Sequence, residues 1–395
     1  MKTAAIIAEY NPFHEGHAYH IGQTRQITGA DYIVTILSGD FVQRGLPAVE
    51  EKYFRAHKAL ESGSDLVLEL PLAYALSSAR GFAFGGVSLA EGLGCVDYLS
   101  FGLEDENNLE AMEALAKILY LQSEKPVYNE TLQSAFKSGK SYPAAVSEAV
   151  SVAFPEIDAR FLTQKQNSNT ILALEYLQAL HRLKSSIRPV AVTRRGLPYL
   201  SESAAALQEG YPSATALRAQ LQETEPSDSS LLFPEDFSAL LHYKLLSCGY
   251  EDLLRYREMT PSLAHKILNA LPEFEDYEQF AMLLWTKDTT YSRICRQLAC
   301  LLLDIKKDAW DVNAPTPYAR ILGFRKSAAP LLHRIRETSS IPVISKLADA
   351  EGLLSEEALG LLNLEVRASR IYDSVRYHKS GERLPGEFQK QVIFV

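Results

Sequence analysis

The sequence is poor in cysteine and contains no long apolar run. Its four cysteines, Cys95, Cys248, Cys295 and Cys300, have no CxxC spacing and no neighbouring histidine pair. Neither a disulfide framework nor a zinc site is therefore indicated. No stretch approaches the roughly 18 consecutive apolar residues that a membrane helix needs, and the apolar run at the N-terminus stops at Glu9 without a signal-cleavage site. We expect a soluble, cytoplasmic protein that does not contact a membrane.

Positive charge is also scarce over most of the chain. Forty Lys and Arg residues stand against 49 Asp and Glu, a formal net charge of −9 at pH 7, which argues against general affinity for nucleic acid. The exception is segment 287–346, which contains 11 Lys or Arg and 5 Asp or Glu. An acidic protein can therefore still carry a local basic face.

Apolar runs alternate with helix-like segments through the first hundred residues. The runs at 3–8, 32–37, 65–71 and 96–102 predict buried strands, and a further strand is expected at 186–195. Strands that alternate with helices are typical of a parallel sheet covered on both faces. The sequence therefore predicts an α/β fold with a Rossmann-like, doubly wound parallel sheet.

The apolar pattern changes after a polar stretch at 222–230 that contains Pro and Ser. Beyond it the spacing of apolar residues is helical, and a length of 395 residues allows two or three domains. We therefore expect a catalytic domain at 1–225 and an all-helical domain at 226–395, with RNA binding as the candidate role of the second.

The stretch AEYNPFHEGHAYH, residues 8–20, follows the first strand where the chain turns into a helix. Ligands of open α/β sheets bind at the carboxyl ends of parallel strands, and the first turn of a helix favours an anion. Gly16 permits close approach of the backbone, and His14 and His17 can donate to phosphate oxygens. We interpret the stretch as a phosphate site. The alternative is a turn with surface histidines, and a metal site is disfavoured because no acidic or cysteine partner has ligand spacing nearby.

Polar residues and a glycine follow the other strands at the same edge of the sheet. Asp40, Gln43 and Arg44 follow the second strand, so they are expected to face the same crevice. The alternative is that Asp40 caps a helix and Arg44 is solvated. Gly102 ends the fourth strand, where it permits either a turn or the close approach of a nucleoside.

Six ordered blocks of the sequence together resemble the tRNA(Met) cytidine acetate ligase family of the HxGH nucleotidylyltransferase superfamily. The blocks are EYNPFHEGHAYHI, SGDFVQRGLPA, DLVLELP, LGCVDYLSFGLE, NSNTILALEYLQAL and RILGF. SATALR, residues 213–218, resembles the second signature of the superfamily, a Ser/Thr-rich helix start followed by an arginine. It departs from the commoner form at Ala214, where a second hydroxyl is usual.

The resemblance implies an ATP-dependent ligase. ATP and acetate would give acetyl-adenylate and pyrophosphate, and the acetyl group would pass to N4 of cytidine 34 in the anticodon of elongator tRNA(Met), giving N4-acetylcytidine. ATP is then a substrate, with Mg²⁺ bound mainly through phosphates and water, and the partners are acetate and the anticodon region of tRNA(Met). The alternatives are a small-molecule adenylyltransferase of cofactor biosynthesis and a non-catalytic protein that binds nucleotide or RNA.

The resemblance also implies the site residues. His14, His17 and Arg218 would stabilise the departing pyrophosphate, Asp40 is a candidate partner of the cytosine amine, and Gln43 and Arg44 would contact the acceptor or the carboxylate substrate. The expected ATP site comprises Ile7, Ala8, Glu9, Tyr10, Asn11, Pro12, Phe13, His14, Glu15, Gly16, His17, Ala18, Tyr19, His20, Gly102, Asn169, Arg194, Arg195, Ser213 and Thr215.

Basic residues of the tail are the candidate tRNA contacts, because phosphate contacts supply most of the sequence-independent affinity for nucleic acid. They are Arg293, Arg296, Lys306, Lys307, Arg320, Arg325, Lys326, Arg334 and Arg336. Tyr291, Trp310 and Tyr318 lie among them and are candidates for stacking on an unpaired base, with a place in the core as the alternative. Lys52, Arg55 and Lys58, at spacings of three, are expected on a solvated helix face, with nucleic-acid contact as the alternative.

Overall fold

The structure of the protein is a computed structural model. It describes residues 1–103, 109–121, 126–138, 140, 142–155, 168–193, 213–224, 228, 230–286 and 289–395. The strands are β1 (Thr3–Ala8), β2 (Tyr32–Ser38), β3 (Leu66–Leu70), β4 (Tyr98–Leu103), β5 (Arg188–Thr193), β6 (Ala319–Phe324), β7 (Val343–Ile344) and β8 (Ile393–Phe394). The first five strands lie where the alternating pattern predicts them.

The helices of the first half are α1 (Glu15–Thr28), α2 (Lys52–Glu61), α3 (Leu72–Ala75), α4 (Ala79–Gly92), α5 (Leu109–Leu121), α6 (Pro126–Lys137), α7 (Tyr142–Ala153), α8 (Ser168–Leu183) and α9 (Ala214–Thr224). Those of the second half are α10 (Ser238–Leu246), α11 (Tyr250–Leu254), α12 (Pro261–Ala270), α13 (Tyr277–Leu284), α14 (Tyr291–Leu302), α15 (Ala329–Thr338), α16 (Ala350–Leu353) and α17 (Glu356–Ser380). None of the described helices is long and apolar enough to cross a bilayer.

The strands form one sheet in the order β5-β4-β1-β2-β3-β6-β7, with β8 paired to β6. The five strands from β5 to β3 are parallel, and β6 runs antiparallel to β3. The chain builds β1, β2 and β3 in one direction and then returns to add β4 and β5 on the other side of β1. Such a reversal of strand order is where doubly wound sheets bind ligands. The predicted fold is confirmed, and its ligand crevice lies between the ends of β1 and β4.

Helices cover both faces of the sheet. Ala5 and Ile36 belong to a core formed with α4 and α8, whereas Ile6 and Leu37 pack against residues of α1 and α2 on the opposite face. Because successive side chains of a strand point to opposite faces, a sheet covered on both sides needs apolar residues at every position. This is the reason for the continuous apolar runs that predict the strands.

The C-terminal region is mainly helical, and α10 to α14 share a core with part of α17. The expectation that it is all-helical is wrong, because it also contains β6, β7 and β8, which lie in the same sheet as the N-terminal strands. β6 pairs with β3 over Leu66–Phe324 to Glu69–Arg320 and covers what would otherwise be an open edge. β6, β7 and β8 contain six residues or fewer each, so the alternation of apolar and polar residues is too short to predict them from the sequence. The boundary at 225 stays a prediction, but the segment after it completes the sheet.

Two of the three cations expected on a solvated helix face are buried. Lys52 and Arg55 of α2 are 0 % exposed, while Lys58 is solvated. Lys52 Nζ lies 2.8 Å from Glu69 Oε1 of β3 and 2.9 Å from Glu387 Oε2 of the C-terminal tail. The expectation is wrong for Lys52 because its partners come from segments far away in the sequence.

Arg320 of β6 joins the same buried cluster. Its Nη1 lies 2.7 Å from Glu69 Oε2, and its Nη2 donates to Glu387 and to the Tyr53 hydroxyl. Only 3 % of the residue is exposed, so the assignment of Arg320 to tRNA binding is corrected. Its guanidinium neutralises buried carboxylates and has no surface to offer a phosphate.

Glu365 of α17 stands at the edge of this cluster and gives the stability of the protein a pH dependence. Burial, reinforced by the Glu69 carboxylate, raises its pKa to about 8, while Tyr318 donates a hydrogen bond to it. The folded protein thus holds a proton on Glu365 that the unfolded chain loses near pH 4.5. Since the folded state binds more protons between these values, this group makes stability fall as the pH rises from about 4.5 to about 8.

Glu365→Gln is therefore expected to flatten that pH dependence, because the amide is neutral at every pH. The measurement is the free energy of urea unfolding at pH 6 and at pH 8.5, with Glu357→Gln on the exposed start of α17 as the matched control. The free energy of unfolding should decrease less between pH 6 and pH 8.5 in Glu365→Gln than in the wild type and the control. An unchanged decrease would show that Glu365 does not titrate in this range.

Candidate nucleotide-binding site

His14 and His17 build the beginning of α1. His14 is the N-cap residue, and its Nδ1 accepts the Gly16 backbone N–H at 3.0 Å. His17 Nδ1 accepts the backbone N–H of His14 at 3.2 Å, and the two rings are stacked with centroids 3.7 Å apart. A ring nitrogen that accepts a hydrogen bond carries no proton, so Nε2 is the N–H donor of each neutral ring. The helix start therefore sets the tautomer of both imidazoles.

The two rings line a cavity of about 300 Å³ at the carboxyl end of β1. This is the position beside β4 where the strand order reverses. Of the expected ATP contacts, those that line the cavity are Ile7, Ala8, Glu9, Tyr10, Asn11, His14, Gly16, His17, Tyr19, His20, Gly102, Asn169, Ser213 and Thr215. Residues separated by up to 208 positions are thus brought together around one space.

Four expected contacts are not among the lining residues, namely Pro12, Phe13, Glu15 and Ala18. Phe13 packs its ring against Tyr10, with centroids 4.9 Å apart. Glu15 and Ala18, three apart on α1, do not line the cavity either. Arg194 and Arg195 lie outside the described residues.

The second signature docks on the loop that follows β1. Arg218 Nη1 donates to the Asn11 carbonyl oxygen at 2.6 Å, and its Nη2 donates to Thr215 Oγ1 at 3.0 Å. Ser213 Oγ accepts the Ala216 N–H at 3.2 Å, as the cap of α9. The two motifs recognised in the sequence therefore meet in space at one wall of the cavity.

Gln43 and Arg44 also line the cavity, but Asp40 does not. Asp40 is 4 % exposed, its Oδ1 accepts the N–H of Lys52 at 3.0 Å and its Oδ2 accepts Ser369 Oγ–H at 2.6 Å. Lys52 is the first residue of α2, so the alternative expectation of a helix-capping aspartate is confirmed. The assignment of Asp40 as partner of a substrate amine is corrected, because its carboxylate is buried and does not line the cavity.

Arg55 is a residue of this region whose role the sequence analysis missed. Its Nη1 donates to the carbonyl oxygens of Glu9 at 2.6 Å and Ser38 at 3.0 Å. The remaining donors bind the carbonyl oxygens of Gly39 and Glu50. One buried guanidinium thereby holds the ends of β1 and β2 in a fixed relation. No sequence signal marks this role, because all four acceptors are backbone atoms.

Apolar side chains line the rest of the cavity and were also missed. They are Phe82, Phe101, Leu172, Tyr176 and Val192. The rings of Phe101 and Tyr176 are 5.8 Å apart. Leu172 and Tyr176 lie three and seven positions after Asn169 on α8, a helical spacing that predicts one common face. Such a lining suits the flat face of an aromatic base.

The charge of the lining favours an anion. Arg44 and Arg218 contribute two guanidinium groups, and Glu9 is the sole carboxylate among the described residues that line the cavity. Within the described part of the chain, no group of three or more His, Cys, Asp or Glu side chains is arranged to hold a metal ion. The cavity thus offers nitrogen donors, an apolar wall and one acid.

Arg296 is a second expected tRNA contact that the structure corrects. It is 7 % exposed, and its Nη1 donates to the Gln43 carbonyl oxygen at 3.4 Å. Gly45 lies so close to it that an added Cβ would fall 2.1 Å from the Arg296 backbone nitrogen. Arg296 therefore supports the loop that carries Gln43 and Arg44 rather than an exposed surface.

The other expected tRNA contacts reach the surface to different degrees. Arg325 Nε donates to the Leu60 carbonyl oxygen and Arg334 Nη1 to that of Met1. The remaining side chains that are exposed or half-buried are Arg293, Lys306, Lys307, Lys326 and Arg336. Of the three aromatic candidates, Tyr318 is buried, Trp310 donates to the Tyr74 hydroxyl, and Tyr291 packs against the helical core. The core interpretation therefore fits these rings better than stacking.

Lysines and arginines from three segments converge on Asp304. Lys244 Nζ lies 2.9 Å and Lys306 Nζ 3.1 Å from its Oδ1, and Arg367 Nη1 lies 3.8 Å from its Oδ2. Partial burial would raise the pKa of Asp304, but the hydrogen bonds from the two lysines hold it below its usual range.

Two exposed cations adjoin this group, Arg255 and Lys307, which are linked by a backbone hydrogen bond of 3.0 Å. We call the set Lys244, Arg255, Lys306, Lys307 and Arg367 the Asp304 patch. Three cations around one carboxylate leave an excess of positive charge, although the chain as a whole is acidic. Lys244, Arg255 and Arg367 lie outside the basic segment of the sequence, so the sequence analysis missed them.

Comparison with known proteins shows which family and which solved structure this chain resembles. The chain matches the HIGH Nucleotidyl Transferase family over residues 1–384. It is 32 % identical to the tRNA(Met) cytidine acetate ligase of Acetivibrio thermocellus, with 100 % of both chains covered, and 36 % identical to that of Clostridium kluyveri, with 94 % of each covered. Thermotoga maritima TmcAL, bound with α-thio ATP, superposes with a TM-score of 0.89 at 27 % identity over 100 % of this chain and 99 % of that one.

Proposed function

The chain belongs to the tRNA(Met) cytidine acetate ligase family of the HIGH nucleotidyl transferases, and from this premise we propose the reaction that it performs. ATP and acetate give acetyl-adenylate and pyrophosphate, and the acetyl group then passes to N4 of cytidine 34 in the anticodon of elongator tRNA(Met). The observation that carries the proposal is the contact between the two signatures, in which Arg218 of the second binds Asn11 of the first.

The first half-reaction needs hydrogen-bond donors beside the phosphate oxygens that gain negative charge as pyrophosphate leaves. Acetate attacks the α-phosphate, and the β- and γ-phosphates leave as pyrophosphate. His14 and His17 present Nε2–H donors whose tautomer is set before ATP binds, and Arg218 adds a guanidinium at the same wall. Preorganised donors of this kind stabilise the transition state without reorganisation. No protein nucleophile is required, because the attacking atom belongs to acetate.

Mg²⁺ would supply further neutralisation of the phosphates when ATP is bound. Glu9 is the one carboxylate among the described lining residues, so the ion would be held by phosphate oxygens and water rather than by a protein cage. The apolar wall of Phe101 and Tyr176, with Gly102 and Asn169, would receive the adenosine. Gln43 and Arg44 would contact acetate or the acceptor nucleotide.

Product analysis tests the proposal. Purified protein is incubated with ATP, labelled acetate and unmodified tRNA(Met), and the nucleosides are analysed by mass spectrometry. Acetylated cytidine that requires both ATP and acetate is the expected result. If AMP and pyrophosphate form while the tRNA stays unlabelled, the acceptor is wrong and a small-molecule adenylyltransferase becomes the better assignment. If neither forms, the protein binds nucleotide or RNA without this catalysis.

The Asp304 patch is the proposed phosphate-binding surface for the tRNA. Reversal of two of its charges in Lys244→Glu/Lys306→Glu should raise the KM for tRNA by about tenfold or more and reduce its dependence on salt, because fewer counterions are released on binding. Acetate-dependent pyrophosphate–ATP exchange, which needs no tRNA, should be unchanged. The matched control is the double reversal Lys117→Glu/Lys137→Glu, at exposed positions of α5 and α6 outside the patch. Equal effects of the patch variant and the control would refute this surface.

A further inference from the structure

We propose that Glu9 is the group that accepts the proton lost by the cytidine amine during acetyl transfer. This inference rests on the proposed function and deepens it, because it names the residue that acts in the second half-reaction. Glu9 directly follows β1, the central strand of the five parallel strands. It is the sole carboxylate among the described residues that line the cavity.

Both ends of Glu9 are held in place. Its Oε1 accepts the Gln43 backbone N–H at 2.7 Å, and its carbonyl oxygen accepts Arg55 Nη1 at 2.6 Å. Gln43 belongs to the loop that carries the expected acceptor contacts, so the carboxylate lies at the junction of that loop with the nucleotide-binding loop. A carboxylate offers about four lone-pair sites, and the bond from Gln43 uses one of them. Glu9 is thus oriented but retains the capacity to accept a proton.

The chemistry of the two half-reactions differs in its need for a base. Acetate attacks as a carboxylate anion, so formation of acetyl-adenylate has no proton to remove. The N4 amine of cytidine attacks as a neutral group. A bond forms between N4 and the acetyl carbon, the bond from that carbon to the phosphate oxygen breaks, and the electron pair leaves with AMP. The proton of N4 passes to the Glu9 carboxylate and from there to solvent.

Two other described carboxylates near this loop, those of Asp40 and Glu69, do not meet this need. Asp40 is engaged with Lys52 and Ser369 outside the cavity. Glu69 is paired with Lys52 and Arg320 inside the buried cluster. General-base catalysis requires a group within hydrogen-bond reach of the proton, and Glu9 is the carboxylate that the described part of the chain brings to the cavity.

The test is to measure the two half-reactions separately in Glu9→Gln. The amide oxygen of Gln can still accept the Gln43 N–H, so the loop keeps its anchor. We expect single-turnover transfer from acetyl-adenylate to tRNA to fall by about 100-fold more than acetate-dependent pyrophosphate–ATP exchange falls, the low end for loss of a general base. Glu61→Gln, an exposed carboxylate on α2, is the control.

Three other results would overturn the inference. Equal loss of exchange and transfer would assign Glu9 to ATP binding or to the structure of the loop. Transfer at the wild-type rate in Glu9→Gln would exclude it as the base. A wild-type protein without any acetate-dependent exchange would refute the proposed function itself, and the separate measurement of the half-reactions keeps that outcome distinct from failure of Glu9 alone.

Discussion

His17→Ala is expected to lower the rate of acetate-dependent pyrophosphate–ATP exchange by about 100- to 1,000-fold, the usual effect of removing one preorganised donor from a developing oxyanion. The imidazole lines the cavity, and its Nδ1 is occupied by the backbone N–H of His14. Nε2–H is therefore the donor that the substitution removes. Exchange measures adenylation alone, so the effect does not depend on tRNA binding.

The same substitution also removes a helix cap, and its two consequences need to be separated. Gln is the ordinary partner of an N-cap residue at this position of a helix, so His17→Gln should restore the hydrogen bond to the His14 N–H. Its unfolding free energy is expected to match the wild type, while its exchange rate stays low. His333→Ala, at an exposed histidine of α15, is the control for loss of an imidazole. Exchange at the wild-type rate in His17→Ala would refute the role of this ring.

Arg320→Met is expected to lower the free energy of unfolding by about 3–5 kcal/mol, the cost of leaving buried carboxylates without their partner. Glu69 and Glu387 both bind this guanidinium, and each is 2 % exposed. Lys52 remains in the variant, but one ammonium cannot neutralise both carboxylates. The measurement is urea unfolding at pH 7 followed by circular dichroism.

Arg336→Met is the matched control, since it removes an exposed guanidinium from the same region. Surface substitutions usually change stability by less than about 0.5 kcal/mol. A loss of stability in Arg320→Met no larger than in the control would mean that the buried cluster does not hold the sheet together. A larger loss of unfolding free energy in Arg320→Met is expected because the buried cluster joins β3, β6, α2 and the C-terminal tail. The tail therefore stabilises the sheet that carries the nucleotide site.

Secondary-structure elements whose signals lie in neighbouring residues of the sequence could be predicted well. β1 and β2 follow from continuous apolar runs, and α1 follows from the change of pattern after the first strand. The HxGH block lies at a strand end because strand, turn and helix are consecutive in the chain. SATALR could be recognised as a motif, but its contact with Asn11 bridges 207 positions and is visible only in the fold.

Elements with distant causes could not be predicted. β6 is a strand because it meets the edge of β3, some 250 residues earlier in the chain. The aromatic wall of the cavity depends on how α8 crosses β4, which no local pattern specifies. Asn169 offers the one useful signal there, since residues at helical spacing from it share its face.

The sequence by itself determined the alternation of strands and helices, the family of the chain and the position of the phosphate-binding block, because each depends on neighbouring residues or on an ordered motif. Only the tertiary structure decided which charged side chains face solvent. Lys52, Arg55 and Arg320 are buried, and Glu9 rather than Asp40 reaches the cavity. The physical reason is that a charged group is buried only where ion-pair or hydrogen-bond partners receive it, and most of these partners come from distant segments that folding brings together.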